Sequence, residues 1–252
     1  MNLFVILCLL TLERAVATSH FVTFGTASHR PAAHRNAQSA KSPGGFDVAS
    51  VASPDSFQND TFFTARYAEV LKLQRGYGYW SWKPYVLSKY MHYNASENDL
   101  VCYSDANYEM KKPFVSYIEA VLEGRQCKIL MFTSKPSEGT YPEKSWSKHD
   151  AFVLMNVPFH ENYTLTQQVW AGFVCLIKNF DTTQFVHQWL TYAGDERIIT
   201  DAPSRFGSED AAFRENRHDQ TIASLLAKKW GCFAELTFPE TYVYNHHLFG
   251  KK

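Results

Sequence analysis

Charge of one sign is what this sequence lacks. Its 25 Lys and Arg are matched by 25 Asp and Glu. A nucleic-acid-binding chain usually shows a basic excess, so nucleic acid is not an expected partner. A local pocket on a neutral protein can still be basic. No cysteine pair has C-x-x-C spacing, which argues against a structural zinc site. The apolar run Leu3 to Leu12 is shorter than the ~20 residues that cross a bilayer, so no stable membrane span is expected. There is no internal repeat and no long biased linker, so residues 18–252 read as one domain. With 45% hydrophobic and 15% aromatic residues, the chain can fill a sizeable core and is not a disordered polymer.

The opening residues read as a targeting segment. Leu3 to Leu12 precedes Ala15-Val16-Ala17, a small-x-small pattern that makes residues 1–17 a signal peptide, although no Lys or Arg comes before the apolar run. The plain alternative is a buried first strand or helix. Three glycosylation tripeptides agree with the secretory pathway (ER or Golgi lumen) or secretion: Asn59-Asp60-Thr61, Asn94-Ala95-Ser96 and Asn162-Tyr163-Thr164. Cleavage would remove Cys8 and leave Cys102, Cys127, Cys175 and Cys232. These can form two disulfides in any of three connectivities, or stay as four buried thiols.

Periodicity predicts alternating strands and helices. Phe21 to Phe24, Leu100 to Tyr103, Ile129 to Phe132 and Phe173 to Ile177 read as strands. Residues 27 to 58 read as loop around a short strand near Phe46. Helical faces are carried by Phe63, Tyr67, Val70 and Leu71, then by Val86, Leu87, Tyr90 and Met91 after Pro84. Further helices follow Pro113, carry Trp189, and span about His218 to Trp230. Such alternation predicts an α/β fold with a mostly parallel sheet flanked by helices.

In such sheets ligands bind beyond the carboxyl ends of the strands. Gly25-Thr26 and Asp105-Ala106-Asn107 stand at such ends. The Asp105 carboxylate and the Asn107 carbonyl are hard oxygen donors suited to Mn²⁺ or Mg²⁺. The bland reading is a strand-end turn in which both residues bond their own backbone. Arg75-Gly76-Tyr77-Gly78-Tyr79-Trp80-Ser81-Trp82-Lys83-Pro84 is a loop rich in aromatics, with two cations. Aromatic faces suit bases and sugars, and Arg75 and Lys83 suit phosphate, whereas Trp80 and Trp82 could equally pack the core. Asp219 and Asp150 are either acid–base carboxylates or first-turn helix acids.

The order of these segments resembles the GT-A type of glycosyltransferase. Asp99 to Asn107 looks like the apolar strand ending in Asp-x-Asp, with Asn107 in place of the second acid. Trp170-Ala171-Gly172 and the apolar run after it resemble the Asn-Ala-Gly element of glycosyltransferase family eight, with Trp170 in place of Asn. Asp219-Gln220 and His247-Leu248-Phe249-Gly250 resemble later elements of that family. The Arg75 to Pro84 run resembles capsule-type and viral glycosyltransferases.

The resemblance implies a GT-A-like fold and a nucleotide-sugar donor bound by Gly25, Thr26, Arg75, Lys83, Asp105, Ala171, Gly172 and Gln220, with Gln168 beside them. It implies Mn²⁺ or Mg²⁺ held by Asp105, Asn107 and His247, with His246 able to exchange places with His247. It implies a glycan or glycoprotein as acceptor, in a hexosyl- or pentosyltransferase. If the transfer inverts configuration, a carboxylate must take the acceptor proton, and Asp219 or Asp150 is the candidate; a retaining transfer needs no separate base, and the sequence leaves both open. A carbohydrate-binding protein without turnover is the main rival. A nucleotidyltransferase fits less well, because Thr23 to Ala27 lacks an early Gly-rich basic signature.

Overall fold

The computed structural model describes residues 17–134 and 139–245. The proposed signal peptide lies outside the described residues, apart from Ala17. In chain order the elements begin β1 (Ser19–Phe24), α1 (Arg30–Lys41), β2 (Val48–Ala52), α2 (Asp55–Gln58), α3 (Thr61–Arg66), α4 (Ala68–Leu71), α5 (Gly76–Tyr79) and α6 (Trp82–Asn94). There follow β3 (Leu100–Asp105), β4 (Tyr108–Met110), α7 (Val115–Leu122), β5 (Ile129–Phe132), α8 (Glu143–Trp146), α9 (His149–Leu154) and α10 (Glu161–Thr164). The last are β6 (Trp170–Ile177), α11 (Phe180–Ala193), α12 (Glu196–Ile199), α13 (Asp219–Lys229) and β7 (Val243–Asn245).

The α/β class expected from the sequence is the class observed. The central sheet has the order β2-β1-β3-β6-β5, and β4 pairs with β7 in a small second sheet. β1 runs parallel to β2 and β3, whereas β6 runs antiparallel to both β3 and β5. Four of the five strands therefore share one direction. Alternate residues of each strand feed opposite faces. Val101, Tyr103 and Val174 join the cluster that also holds Leu87 and Trp189, while Leu100, Cys102 and Phe173 join Phe114 and Ile118.

Two differences from the sequence reading bear on the site. Residues read as loop contain the 12-residue helix α1. Its buried face is Ala33, Asn36, Ala37 and Ala40, spaced as a helix requires but too small to register as an apolar stripe. This helix lies so close to the end of β1 that a Cβ on Gly25 would stand 2.9 Å from Ala33 Cβ. The other difference is the direction of β6, which brings its first residues, Trp170 to Gly172, beside the last residue of β3. The four cysteines form Cys102–Cys175, across paired residues of β3 and β6, and Cys127–Cys232.

Candidate active site

A cleft of about 1080 Å³ opens at the carboxyl ends of β1 and β3. That lies at the upper end of the ~300–1,000 Å³ typical of small-molecule sites. Its walls include Trp80, Trp170 and Tyr77, and its rim includes Arg75 and Arg217.

Asp105, half-buried at the end of β3, anchors the floor. Tyr103 Oη donates to Asp105 Oδ1 at 2.9 Å. Asn36, buried on α1, donates from Nδ2 to the Asp105 carbonyl at 2.8 Å and to Ser104 Oγ at 2.7 Å. The unexpected helix thus fixes the strand end that carries the carboxylate.

Lys83 rises from the first turn of α6, fully buried. Its Nζ lies 2.9 Å from Asp219 Oδ2, 3.3 Å from Asp105 Oδ1 and 3.3 Å from the Ala171 carbonyl. An ammonium has three N–H donors, and these three acceptors account for all of them. Burial alone would push the Lys83 ammonium down, but the two carboxylates outweigh it and hold the group above the ordinary lysine value. Burial pushes the Asp219 carboxyl up to about 6; the Asp105 charge adds to the rise and Lys83 opposes it. The sequence reading paired Lys83 with phosphate. In the structure a phosphate oxygen could take one of its N–H groups only by displacing a present partner.

Gly172 forms the opposing wall. A Cβ there would stand 2.9 Å from Asp105 Oδ2 and 3.0 Å from Tyr108 Oη, so only hydrogen fits. Ala171 contributes backbone: its carbonyl to Lys83, and its N–H to Gln220 Oε1 at 3.3 Å. Thr26, Arg75, Asn107, Gln168, Asp219 and Gln220 all line the cleft. Gly25 lies just behind the wall, buried against α1. Trp80 lines the cleft with its ring 5.5 Å from that of His218, while Trp82 stacks on Phe24 at 3.8 Å and belongs to the core.

Asp150 is placed elsewhere. It is buried in the first turn of α9, and its carboxylate accepts the backbone N–H groups of Arg205 and Phe206 at 2.8–2.9 Å. Both oxygens hold a loop, and the residue does not line the cleft. His246 and His247 lie outside the described residues.

Divalent cations of the Mg²⁺ class favour several oxygen ligands around one ion. Among the described residues, no group of three or more His, Cys, Asp and Glu side chains could hold one. At Asp105 the neighbouring positive charge is the Lys83 ammonium, 3.3 Å away. Of the ligand set expected from the sequence, Asp105 and Asn107 line the cleft together, and His247 lies outside the described residues.

Sequence reasoning missed Asn36, Tyr103 and Tyr108. It also missed a buried network around Glu143, which reaches the cleft through Gln168.

No protein-family model matches the chain, and no curated protein matches it at a significant level. Solved structures do. One is the WbbM bifunctional glycosyltransferase in its apo form, at TM-score 0.47 and 9% identity, covering 88% of this chain and 39% of that one. Another is mouse xyloside xylosyltransferase 1, apo form, at TM-score 0.47 and 11% identity, covering 87% and 85%. A third is a glycosyltransferase involved in glycosylation of the major capsid of PBCV-1, at TM-score 0.38 and 10% identity, covering 69% and 66%. All three are glycosyltransferases. The chain spans well under half the length of the first.

Proposed function

We propose that this chain is a GT-A-type glycosyltransferase that moves a sugar from a nucleotide-diphosphate donor to an acceptor hydroxyl on a glycan or glycoprotein. The observation that carries this reading is the Asp105–Lys83–Asp219 cluster on the floor of an aromatic-walled cleft. Aromatic faces such as Trp80 and Trp170 suit a base or the apolar face of a sugar. Arg75 and Arg217 at the rim suit the diphosphate. Gln220, beside Gly172, suits a sugar hydroxyl.

In the transfer, the bond from the anomeric carbon to the diphosphate oxygen breaks and a bond to the acceptor oxygen forms. The acceptor proton goes to the Asp219 carboxylate, and the diphosphate leaves with the bonding electron pair. A carboxyl with pKa about 6 is ionised at neutral pH yet basic enough to take that proton. With both acids ionised, the trio of Lys83, Asp105 and Asp219 carries one net negative charge, and proton uptake neutralises it. Asp105 and Lys83 act here by holding Asp219 in place and setting its charge. On this reading the donor-sugar contacts fall to Gln220 and Gly172, while Asp150 holds the loop at Arg205 and Phe206.

Asn107, standing where the resembling enzymes carry a second acid, favours one other reading: a carbohydrate-binding protein without turnover. Incubation with a panel of nucleotide sugars separates the two. Free nucleotide that accumulates with the wild type and vanishes in Asp219→Asn and Asp105→Ala supports the transferase. Glycan binding without nucleotide release supports the rival and sinks the proposal.

The setting we propose is the lumen of the secretory pathway or the exterior. The two disulfides support it, as do three exposed sequon asparagines, Asn59, Asn94 and Asn162. No helix among the described residues is long and apolar enough to cross a membrane.

A further inference from the structure

Behind the cleft wall lies a charge pair that the reaction does not touch. Glu143 is fully buried, and Lys228 Nζ donates to its Oε2 at 2.5 Å. Ser224 Oγ donates to the same oxygen, and Ser147 Oγ and Gln168 Nε2 donate to Oε1. With four donors converging on it, the Glu143 carboxylate serves here only as an acceptor. Burial pushes the Lys228 ammonium down and the Glu143 charge resists that, so the two groups depend on each other.

An acceptor-only neighbour dictates which way Gln168 points. Its NH₂ must face Glu143, and it does: Nε2 also donates to Ser147 Oγ at 2.9 Å and to the Trp146 carbonyl at 3.1 Å. Reversal would set the Gln168 carbonyl against a carboxylate. The Gln168 oxygen is therefore turned toward Gln220, whose Nε2 donates to it at 2.7 Å. Gln220 Oε1 in turn accepts the Ala171 N–H at 3.3 Å. One N–H of Gln220 Nε2 then has no partner among the described residues, and Gln220 lines the cleft.

We infer that Glu143 and Gln168 are positioning residues: the buried Lys228–Glu143 charge pair, relayed through the Gln168 amide, fixes the polarity of Gln220 so that it offers the cleft a hydrogen-bond donor. Its partner is an oxygen acceptor on the ligand. Under the proposed function, on which this part rests, that acceptor is a hydroxyl oxygen of the donor sugar. The relay itself rests on the geometry alone.

The test has one arm without ligand and one with it. In protein labelled with ¹⁵N at glutamine side chains, the Gln220 amide is assigned by its loss in Gln220→Ala. Glu143→Gln replaces an acceptor-only group by one that can face Gln168 either way. Because that variant leaves Lys228 buried without a counter-charge and can fail to fold, Glu143→Gln with Lys228→Met is made beside it. The expected result is a shifted or doubled Gln220 amide signal in a folded variant. A Gln220 signal identical to wild type in the folded double variant overturns the relay, whatever the protein's activity.

In the second arm, KM for the nucleotide sugar that the wild type turns over rises roughly five- to tenfold, the scale of one lost hydrogen bond, with kcat within about twofold. Binding of the free nucleoside diphosphate stays unchanged. Equal losses for nucleotide and nucleotide sugar would mean general damage and overturn the assignment of the donor to the sugar. If the wild type releases nucleotide from no donor, the transferase reading fails, while the amide signal still decides the relay.

Discussion

Lys83 Nζ stands 2.9 Å from Asp219 Oδ2, and both side chains are at most 5% exposed. The two residues come from the starts of different helices, α6 and α13, far apart in sequence. Their pairing ties the aromatic segment before α6 to the far wall of the cleft. It also sets the working range of the proposed base.

The pH profile follows from the Asp219 carboxyl, held at about 6 chiefly by burial. A base must be unprotonated, so activity is lost as pH falls through about 6 and is on its plateau above about 7. Steady-state nucleotide release between pH 4.5 and 8.5 measures this. Asp219→Asn is expected to lower kcat by roughly 10²–10⁴-fold and to abolish the acid limb. A limb that persists in Asp219→Asn assigns the base elsewhere.

Lys83→Met removes the cation that opposes the rise in the Asp219 pKa. The acid limb should therefore move to higher pH, a shift that a lost phosphate contact alone would not produce. Leaving Asp219 buried without its partner should also cost about 3–5 kcal/mol in stability. Paired denaturant melts and pH–rate profiles check both effects, and an unmoved limb refutes the coupling.

Gly172→Ala places a methyl group 2.9 Å from Asp105 Oδ2 and 3.0 Å from Tyr108 Oη. One of the two must shift. Because both lie at the cleft, the expected outcome is at least a tenfold loss in kcat/KM with an intact far-UV spectrum. Activity equal to wild type would show that the Asp105 carboxylate need not stand where it does.

Cys127–Cys232 closes a long loop, the two residues being separated by 105 positions. Neither residue lines the cleft. Replacing both by serine should lower stability by about 2–5 kcal/mol while donor KM below the melting range is unchanged. Guanidinium unfolding and donor kinetics on the same preparation test this, and a matching fall in affinity would tie the bridge to the site.

The legible parts of this chain were those written in large apolar side chains. Leu100 to Tyr103 followed by Ser104-Asp105 reads as a strand with an acid at its end, and so it folds. The helix α1 escaped because alanine and asparagine make its buried face. The run Phe173 to Ile177 marks a strand but carries no sign of its direction, so the meeting of Gly172 with Asp105 could not be foreseen. Lys83 was visible as a cation beside an aromatic segment. That its three N–H groups are shared among Asp105, Ala171 and Asp219 is a property of tertiary packing. Glu143, in Pro142-Glu143-Lys144, looks like an ordinary surface acid, and only the fold buries it against Lys228.

The disulfide between β3 and β6 has a consequence for assembly. Cys102 lies three residues before Asp105, and Gly172 lies three residues before Cys175 on the strand running the other way. The cross-link and these two short arms form a clamp whose jaws are the acid and the glycine that faces it. Sliding of one strand against the other would move both jaws at once, and the covalent bond forbids it. This one bond sets the gauge to which the site is made.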